Sequence, residues 1–317
     1  MRNEKKGFKK RNLEIIGAVL LLIVFVGPIF AFAGSRKDVY VDGSKTGTED
    51  GSVSNPYHTI SEALVHSDKR TDVHVAKGTY KDNIEIPKGV RIFGSDVDDV
   101  IIQAKNKKKV VVSMKDDTEI NKVTIEKGRQ GIWVKEDAEV SIIKCTVKNN
   151  DKDGISIAKG STKKKDAVSI TDSIIKNNGR AGIFSQKRRL VLIDNEIVDN
   201  ETDGLDLAFG SSAWIEDNNF KDNDGSGMKL TLDSSNIWIK SNSFRNNGNE
   251  GIEISAWGTA GRIDINKSKF NSNENYAIAR INKAPISKSF WNGLTIQSNN
   301  VFEKSVKGSV SPVILVR

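Results

Sequence analysis

The sequence predicts an all-β protein: a single-stranded right-handed parallel β-helix solenoid with a short N-terminal capping α-helix, preceded by an N-terminal signal or transmembrane helix. Three observations carry this reading. A glycine recurs at intervals of 22 to 28 residues, an asparagine stands four residues before most of those glycines, and strand-sized segments of alternating apolar residues fill the space between. A period of that length marks coils that bury their apolar faces only by stacking on one another.

Residues 1–33 read as an address. Arg2, Lys5, Lys6, Lys9, Lys10 and Arg11 form a positive leader ahead of the apolar run Ile15 to Val26, and Gly27-Pro28 and Ala31-Phe32-Ala33 follow. This is the order of a secretory signal, with the Gly-Pro pair ending its helix and cleavage falling before Gly34. The rival is an uncleaved anchor, because the 21 residues Leu13 to Ala33 are about enough to cross a bilayer core. Both readings place residues 34–317 outside the cytoplasm, either secreted or held at the membrane by the N-terminal helix.

The body, residues 34–317, divides into a cap at about 38–70 and coils at about 71–317. Glycines at 131, 154, 182, 204, 227 and 251 are each followed by an apolar residue, and Asn150, Asn178, Asn200, Asn223 and Asn247 precede five of them by four positions. The next unit keeps Asn273 and has Ala277 in place of the glycine. Val147, Ile175, Ile197, Phe220, Phe244 and Phe270 lie three residues before the asparagines, and Ile142, Ile170, Leu192, Ile215, Ile239 and Ile265 lie eight before. A last coil is expected from Leu294, Ile296, Val301 and Gly308, with Lys304 replacing the asparagine after an insertion at 282–293. Pairs such as Val140-x-Ile142 and Ile237-x-Ile239 have the period of two expected of strands with one face inward. In a stacked body the asparagines would form a ladder of side-chain amides. The glycines would supply the positive φ needed to leave the turn.

Charge and composition remove several function classes. Half of the formal charge of +8 sits in residues 1–33, and the rest is spread over the remaining 284 residues. The basic runs, Lys105 with Lys107 to Lys109 and Lys163 to Lys165, fall between strand patterns and read as solvated loops, so nucleic acid is not expected as a partner. Cys145 is the single cysteine, which excludes an internal disulfide framework and a multi-thiolate metal site. His58, His66 and His74 lack metal-ligand spacing, so no metal site is assigned.

The repeat resembles that of the pectin-lyase-like superfamily over residues 38–317. Its opening segment strengthens the likeness: Val39-Tyr40-Val41-Asp42-Gly43, Asn55-Pro56-Tyr57-His58-Thr59-Ile60, Lys77-Gly78-Thr79-Tyr80, and Ile84 to Gly94. The resemblance implies a short helix around Thr59 to His66 that closes the first coil. For function it implies a range of classes, from polysaccharide lyases, hydrolases and epimerases to adhesins. Asp203-Gly204-x-Asp206 partly resembles the aspartate segments of polygalacturonase-type hydrolases, but no histidine follows His74 and that activity is not carried over.

The outward position two residues after each glycine reads Trp133, Ser156, Phe184, Asp206, Lys229, Glu253 and Ala279, and the residues just before the glycines include Asp153, Asp203, Ser226 and Glu250. Stacked rungs would gather Asp203, Asp206, Lys229 and Glu253 as candidate catalytic residues, with Trp133, Phe184 and Glu250 as candidate ligand contacts. Aromatic faces and carboxylates are what sugar recognition uses. The structural alternative is an ionic ladder in which Asp206, Lys229 and Glu253 neutralise one another. Trp214, Trp238, Trp257 and Trp291 are further platforms, or covers for neighbouring coils.

The function expected is an exported cell-envelope protein that binds, or modifies, polysaccharide along one exposed sheet; the alternative is a non-catalytic surface scaffold or adhesion module. Should it be an enzyme, the type would be a polysaccharide lyase, glycoside hydrolase or epimerase. No cofactor is called for, calcium being the one a lyase would add. The partner is a polysaccharide or cell-surface glycan, the membrane is met only through the N-terminal segment, and the chain is expected to be a monomer.

Overall fold

The alternating apolar segments form short parallel strands, one from each coil in each of three sheets. The computed structural model describes residues 35–163 and 167–315; the signal or anchor assigned to residues 1–33 lies outside them. Among the described residues no helix is long and apolar enough to cross a membrane. The sheets hold 11, 10 and 10 strands. The first begins at Lys37–Val41, inside the segment assigned to the cap, and ends at Leu294–Ile296; the second runs from Gly78–Lys81 to Val301–Glu303, and the third from Ile84–Ile86 to Gly308–Leu315.

Like stacks on like in the core. Ile142, Ile170, Leu192, Ile215, Ile239 and Ile265 are register partners in consecutive coils of the first sheet. Val147, Ile175, Ile197, Phe220, Phe244 and Phe270 are partners in the second. The three phenylalanines are fully buried and their rings stack, with centroids 5.2 Å and 4.9 Å apart. Each such side chain contributes roughly 1.5 to 3 kcal/mol of burial.

Polar residues stack as strictly as apolar ones. Asn150, Asn178, Asn200, Asn223, Asn247 and Asn273 form the expected ladder, each Nδ2 donating to the next Oδ1 at 2.9 to 3.0 Å. A second ladder, five residues earlier in each coil, joins Asn195 to Asn218 (2.9 Å) and Asn218 to Asn242 (3.0 Å). Ser173 and Ser268 extend it through backbone contacts to Asn195 and Asn242. Buried amides are tolerated here because each finds its partner in the adjacent rung.

The role expected of the repeat glycines is corrected. None of Gly131, Gly154, Gly182, Gly204, Gly227 and Gly251 has positive φ. That conformation falls on the residues just before the first ladder, Asn149, Asn177, Asp199, Asp222, Asn246 and Ser272, at φ between 50° and 55°. Asparagine and aspartate tolerate it better than most side chains. The glycines are required by space: a Cβ on Gly204 would lie 2.6 Å from the Gly227 carbonyl oxygen and 2.9 Å from the Phe220 ring.

The last coil is also corrected by one residue. Phe302, not Val301, pairs with Phe270 and stacks on it at 5.2 Å, leaving Val301 43% exposed. Ser305, three residues after Phe302, therefore takes the offset assigned to Lys304, and Gly308 pairs with Tyr276 rather than Ala277. One extra residue between Ile296 and Phe302 shifts the register. The insertion before this coil forms a 3-10 helix, Lys288–Gly293, that buries Phe290 and Trp291, with the Trp291 indole donating to Asn282 Oδ1 at 2.9 Å.

A single α-helix is present among the described residues: α1, Ile60–Val65. Thr59 caps it by accepting the Glu62 amide at 3.1 Å, and Ile60, Ala63 and Leu64 are buried.

Candidate functional site

Parallel pairing in the third sheet places one outward residue above another in every coil. Trp133 partners Ser156, Ser156 partners Phe184, Phe184 partners Asp206, Asp206 partners Lys229, Lys229 partners Glu253, and Glu253 partners Ala279. The column read from the sequence is thus one continuous line on one face. Asp206 and Glu253 stand two rungs apart, ~9.6 Å by strand spacing. Lys229 lies between them.

The turns that enter these strands bring the remaining acids to the same place. Asp203 Oδ1 accepts the Ser226 amide at 2.9 Å. The turn can close this tightly because residue 225 is glycine; a Cβ there would lie 2.7 Å from that oxygen. Ser226 Oγ in turn donates to Glu250 Oε2 at 3.2 Å. Lys229 Nζ comes within 3.9 Å of Asp203 Oδ2, so its ion pair runs diagonally to the strand entrance rather than along the column. Two coils earlier, Gln130 Nε2 donates to Ser156 Oγ (2.7 Å), which donates to Asp153 Oδ2 (2.9 Å). Arg180, which the sequence reading did not single out, stands 3.7 Å from the other Asp153 oxygen.

Burial and like charge shape the acidity of this cluster. The Asp206 carboxyl is pushed up to about 6, first by burial and then by Asp203, Asp153 and Glu253, against the pull of Lys229. Burial also raises Asp203, opposed by the Ser226 amide and Lys229. Glu250 is raised by burial and by Glu253. For Lys229, burial works against the charge, yet Asp203, Glu253 and Asp206 outweigh it and its ammonium is held more firmly. An acid that titrates near neutrality beside a held cation is equipped to exchange a proton with a hydroxyl or to hydrogen-bond it. Among the described residues no group of three or more His, Cys, Asp or Glu is placed to hold a metal ion.

The aromatic residues divide between faces. Trp133 and Phe184 lie half-buried on the column. Phe209 and Trp257, each 48% exposed, directly follow the strands that carry Asp206 and Glu253. Trp214 and Trp238 belong to the first sheet, with ring centroids 6.4 Å apart. Near the other end of the third sheet a cavity of about 380 Å³ is lined by Asn83, Glu85, Lys108, Lys109, Ser113 and Arg129.

The fold and its charged, outward-facing sheet define a right-handed parallel β-solenoid. The right handed beta helix region family matches residues 39–208 and 130–301, and the chain belongs to that family. No curated protein matches it. Among solved structures it is similar to the pectate lyase Pel9A, at 16% identity over 89% of this chain and 79% of that one, with a TM-score of 0.61. It is also similar to tailspike protein 2 of Escherichia coli O157:H7 bacteriophage CAB120, at 15% identity over 88% and 42% of the two chains and a TM-score of 0.56. An alginate lyase from Paenibacillus sp. aligns at 13% identity over 80% and 96%, with a TM-score of 0.53. At these identities the likeness establishes the fold.

Proposed function

We propose that this is an exported cell-envelope protein that binds polysaccharide along its third sheet, with Asp203, Asp206, Lys229 and Glu253 contacting hydroxyls and Trp133, Phe184 and Glu250 framing the sugar chain. The observation that carries it is the register partnership of Asp206 and Lys229, a carboxyl and an ammonium in adjacent rungs of an outward column that also holds two aromatic rings. The similar solved structures named as pectate lyase and alginate lyase lend the reading support. Binding ranks ahead of catalysis because aromatic faces and carboxylates suit contact with sugars, whereas nothing in their spacing demands a reaction. Export through residues 1–33 and closure of the first coil by α1 belong to the same proposal.

A glycan array probed with the purified protein, with and without calcium, tests it. Saturable binding to a defined set of glycans is expected; no binding to any glycan would overturn it. The second reading, a non-catalytic surface scaffold, is favoured by one contact, the Lys229–Asp203 ion pair at 3.9 Å, which engages the cation within the cluster itself. That reading expects the domain to be inert on every glycan and to bind another protein or the cell surface.

A further inference from the structure

The third sheet is not uniform in charge along its length. The acids Asp203, Asp206 and Glu253 gather around Lys229 in late coils, with Glu250 beside Glu253, whereas Lys108, Lys109 and Arg129 gather in early ones around the cavity of about 380 Å³. Glu85 and Ser113 on the cavity wall are register partners, and Ser113 partners Trp133, so the two extend the same outward column to its first coil. From Ser113 to Glu253 is six rungs, about 29 Å at the usual strand spacing.

The basic end is built rather than loose. Asn83 Nδ2 donates to the carbonyls of Asn106 (3.2 Å) and Val110 (2.8 Å), and its Oδ1 accepts the Asn106 amide at 2.7 Å, which fixes the turn bearing Lys108 and Lys109. The Arg129 amide donates to the Lys109 carbonyl at 2.9 Å. Gly128 allows this approach, since a Cβ there would meet Val111 at 2.4 Å and the Lys109 carbonyl oxygen at 3.1 Å. The carboxylate on the cavity wall, Glu85, is engaged elsewhere by Lys115 (2.6 Å) and Lys135 (3.2 Å). Lys108, Lys109 and Arg129 make no ion pair with a carboxylate among the described residues. Three cations around one concavity whose one carboxylate, Glu85, is already paired with Lys115 and Lys135 favour an anion there, and a planar guanidinium suits a carboxylate, sulfate or phosphate.

We infer that this cavity is an anion subsite of the glycan strip, seating an acidic substituent of a polysaccharide whose neighbouring sugars run over Trp133 and Phe184. This rests on the glycan-binding reading and narrows its ligand. A uniformly anionic polymer would meet the acids at the far end, so the fitting ligand bears its acidic group locally, with neutral or amino-bearing sugars beyond.

The test uses the full chain and two probes short enough to stay at the basic end, trigalacturonate and its fully methyl-esterified form. Affinities are measured for the native protein, for a variant combining Lys108→Ala, Lys109→Ala and Arg129→Ala, and for a control combining Lys283→Ala, Lys288→Ala and Lys304→Ala, which removes equal charge elsewhere. The native protein and the control should bind the acid about tenfold or more tighter than the ester, and the cavity variant should lose that preference while still binding the ester. Equal binding of acid and ester by the native protein overturns the subsite and leaves the glycan reading standing. Failure of both probes also overturns the subsite, and the glycan reading falls with it only where the glycan array finds no ligand either. Tighter binding of double-stranded DNA than of the acid would also overturn the subsite by assigning the patch to another polyanion.

Discussion

Asn178 and Asn200, fully buried and one coil apart, are joined by a 3.0 Å hydrogen bond from Nδ2 to Oδ1. Asn200 passes the contact on to Asn223 at 2.9 Å and also donates to the Ile175 carbonyl at 3.2 Å. Asn200→Ala would take from Asn178 the acceptor of both its Nδ2 and its backbone amide, leaving Nδ2 only the Val147 carbonyl at 3.3 Å, and would remove the side-chain donor to the Ile175 carbonyl, all in a dry interior. Unpaired buried groups of this kind cost about 1 to 3 kcal/mol each, so a loss of about 2 to 4 kcal/mol is expected in urea unfolding. A loss under about 0.5 kcal/mol would show that the ladder is not a structural element.

The repeat glycines give a paired prediction. Gly204→Ala should destabilise by about 2 kcal/mol or more, because its Cβ would meet the Gly227 carbonyl and the Phe220 ring, at a site where φ is not positive. Asn177→Gly, at φ 53°, should be close to neutral, since glycine relieves the left-handed backbone there. The reverse ranking in thermal melts would return the glycines to a conformational role.

These positions also show how far the sequence could be read. The stacked columns were legible because buried strands repeat their apolar residues at fixed offsets, and an offset from Phe220 to Phe244 to Phe270 has one simple spatial meaning. The second ladder was missed although Asn195, Asn218 and Asn242 stand five residues before Asn200, Asn223 and Asn247; cysteine and serine at 145, 173 and 268 break the pattern. The outward column of the third sheet is legible from Trp133 to Ala279, since parallel register follows from the same offsets, while Ser113 and Glu85 at its start follow no repeat glycine and are not. Its side-chain geometry was not, because whether Lys229 reaches Asp203, Asp206 or Glu253 depends on rotamers. The basic cavity was hidden for another reason: Lys108 and Lys109 resemble any solvated loop until Asn83 and Arg129 are brought beside them.

Asp206 predicts a pH dependence. Its carboxyl lies at about 6 in the fold against an ordinary value of 3.8, so the neutral form is favoured by folding. Its stabilising contribution is complete below about 3.8 and is lost as pH rises through about 6. At neutral pH the ionised group is a burden of at most about 3 kcal/mol, reduced by solvent screening. Asp206→Asn should therefore raise the melting temperature at pH 7.5 and leave it nearly unchanged at pH 4. A lower melting temperature at pH 7.5 would mean that the Lys229 attraction outweighs burial.

Cys145 should be chemically silent. Its thiol is buried and burial pushes it up to about 12, so almost no thiolate exists at neutral pH. Labelling with a thiol reagent should need denaturant. Stoichiometric labelling of the native protein within minutes would contradict the packing around residues 120 to 145.

The most direct measurement takes one oligosaccharide found to bind and long enough to reach from Trp133 to Glu253, five rungs or about 24 Å, and titrates it against the native protein and against Trp133→Ala, Asp206→Ala and Glu253→Ala. These residues are far apart in the chain but share one outward column. If that column is the binding strip, each variant should lose about tenfold or more in affinity while keeping the native fold. Unchanged affinity in all three would contradict the account.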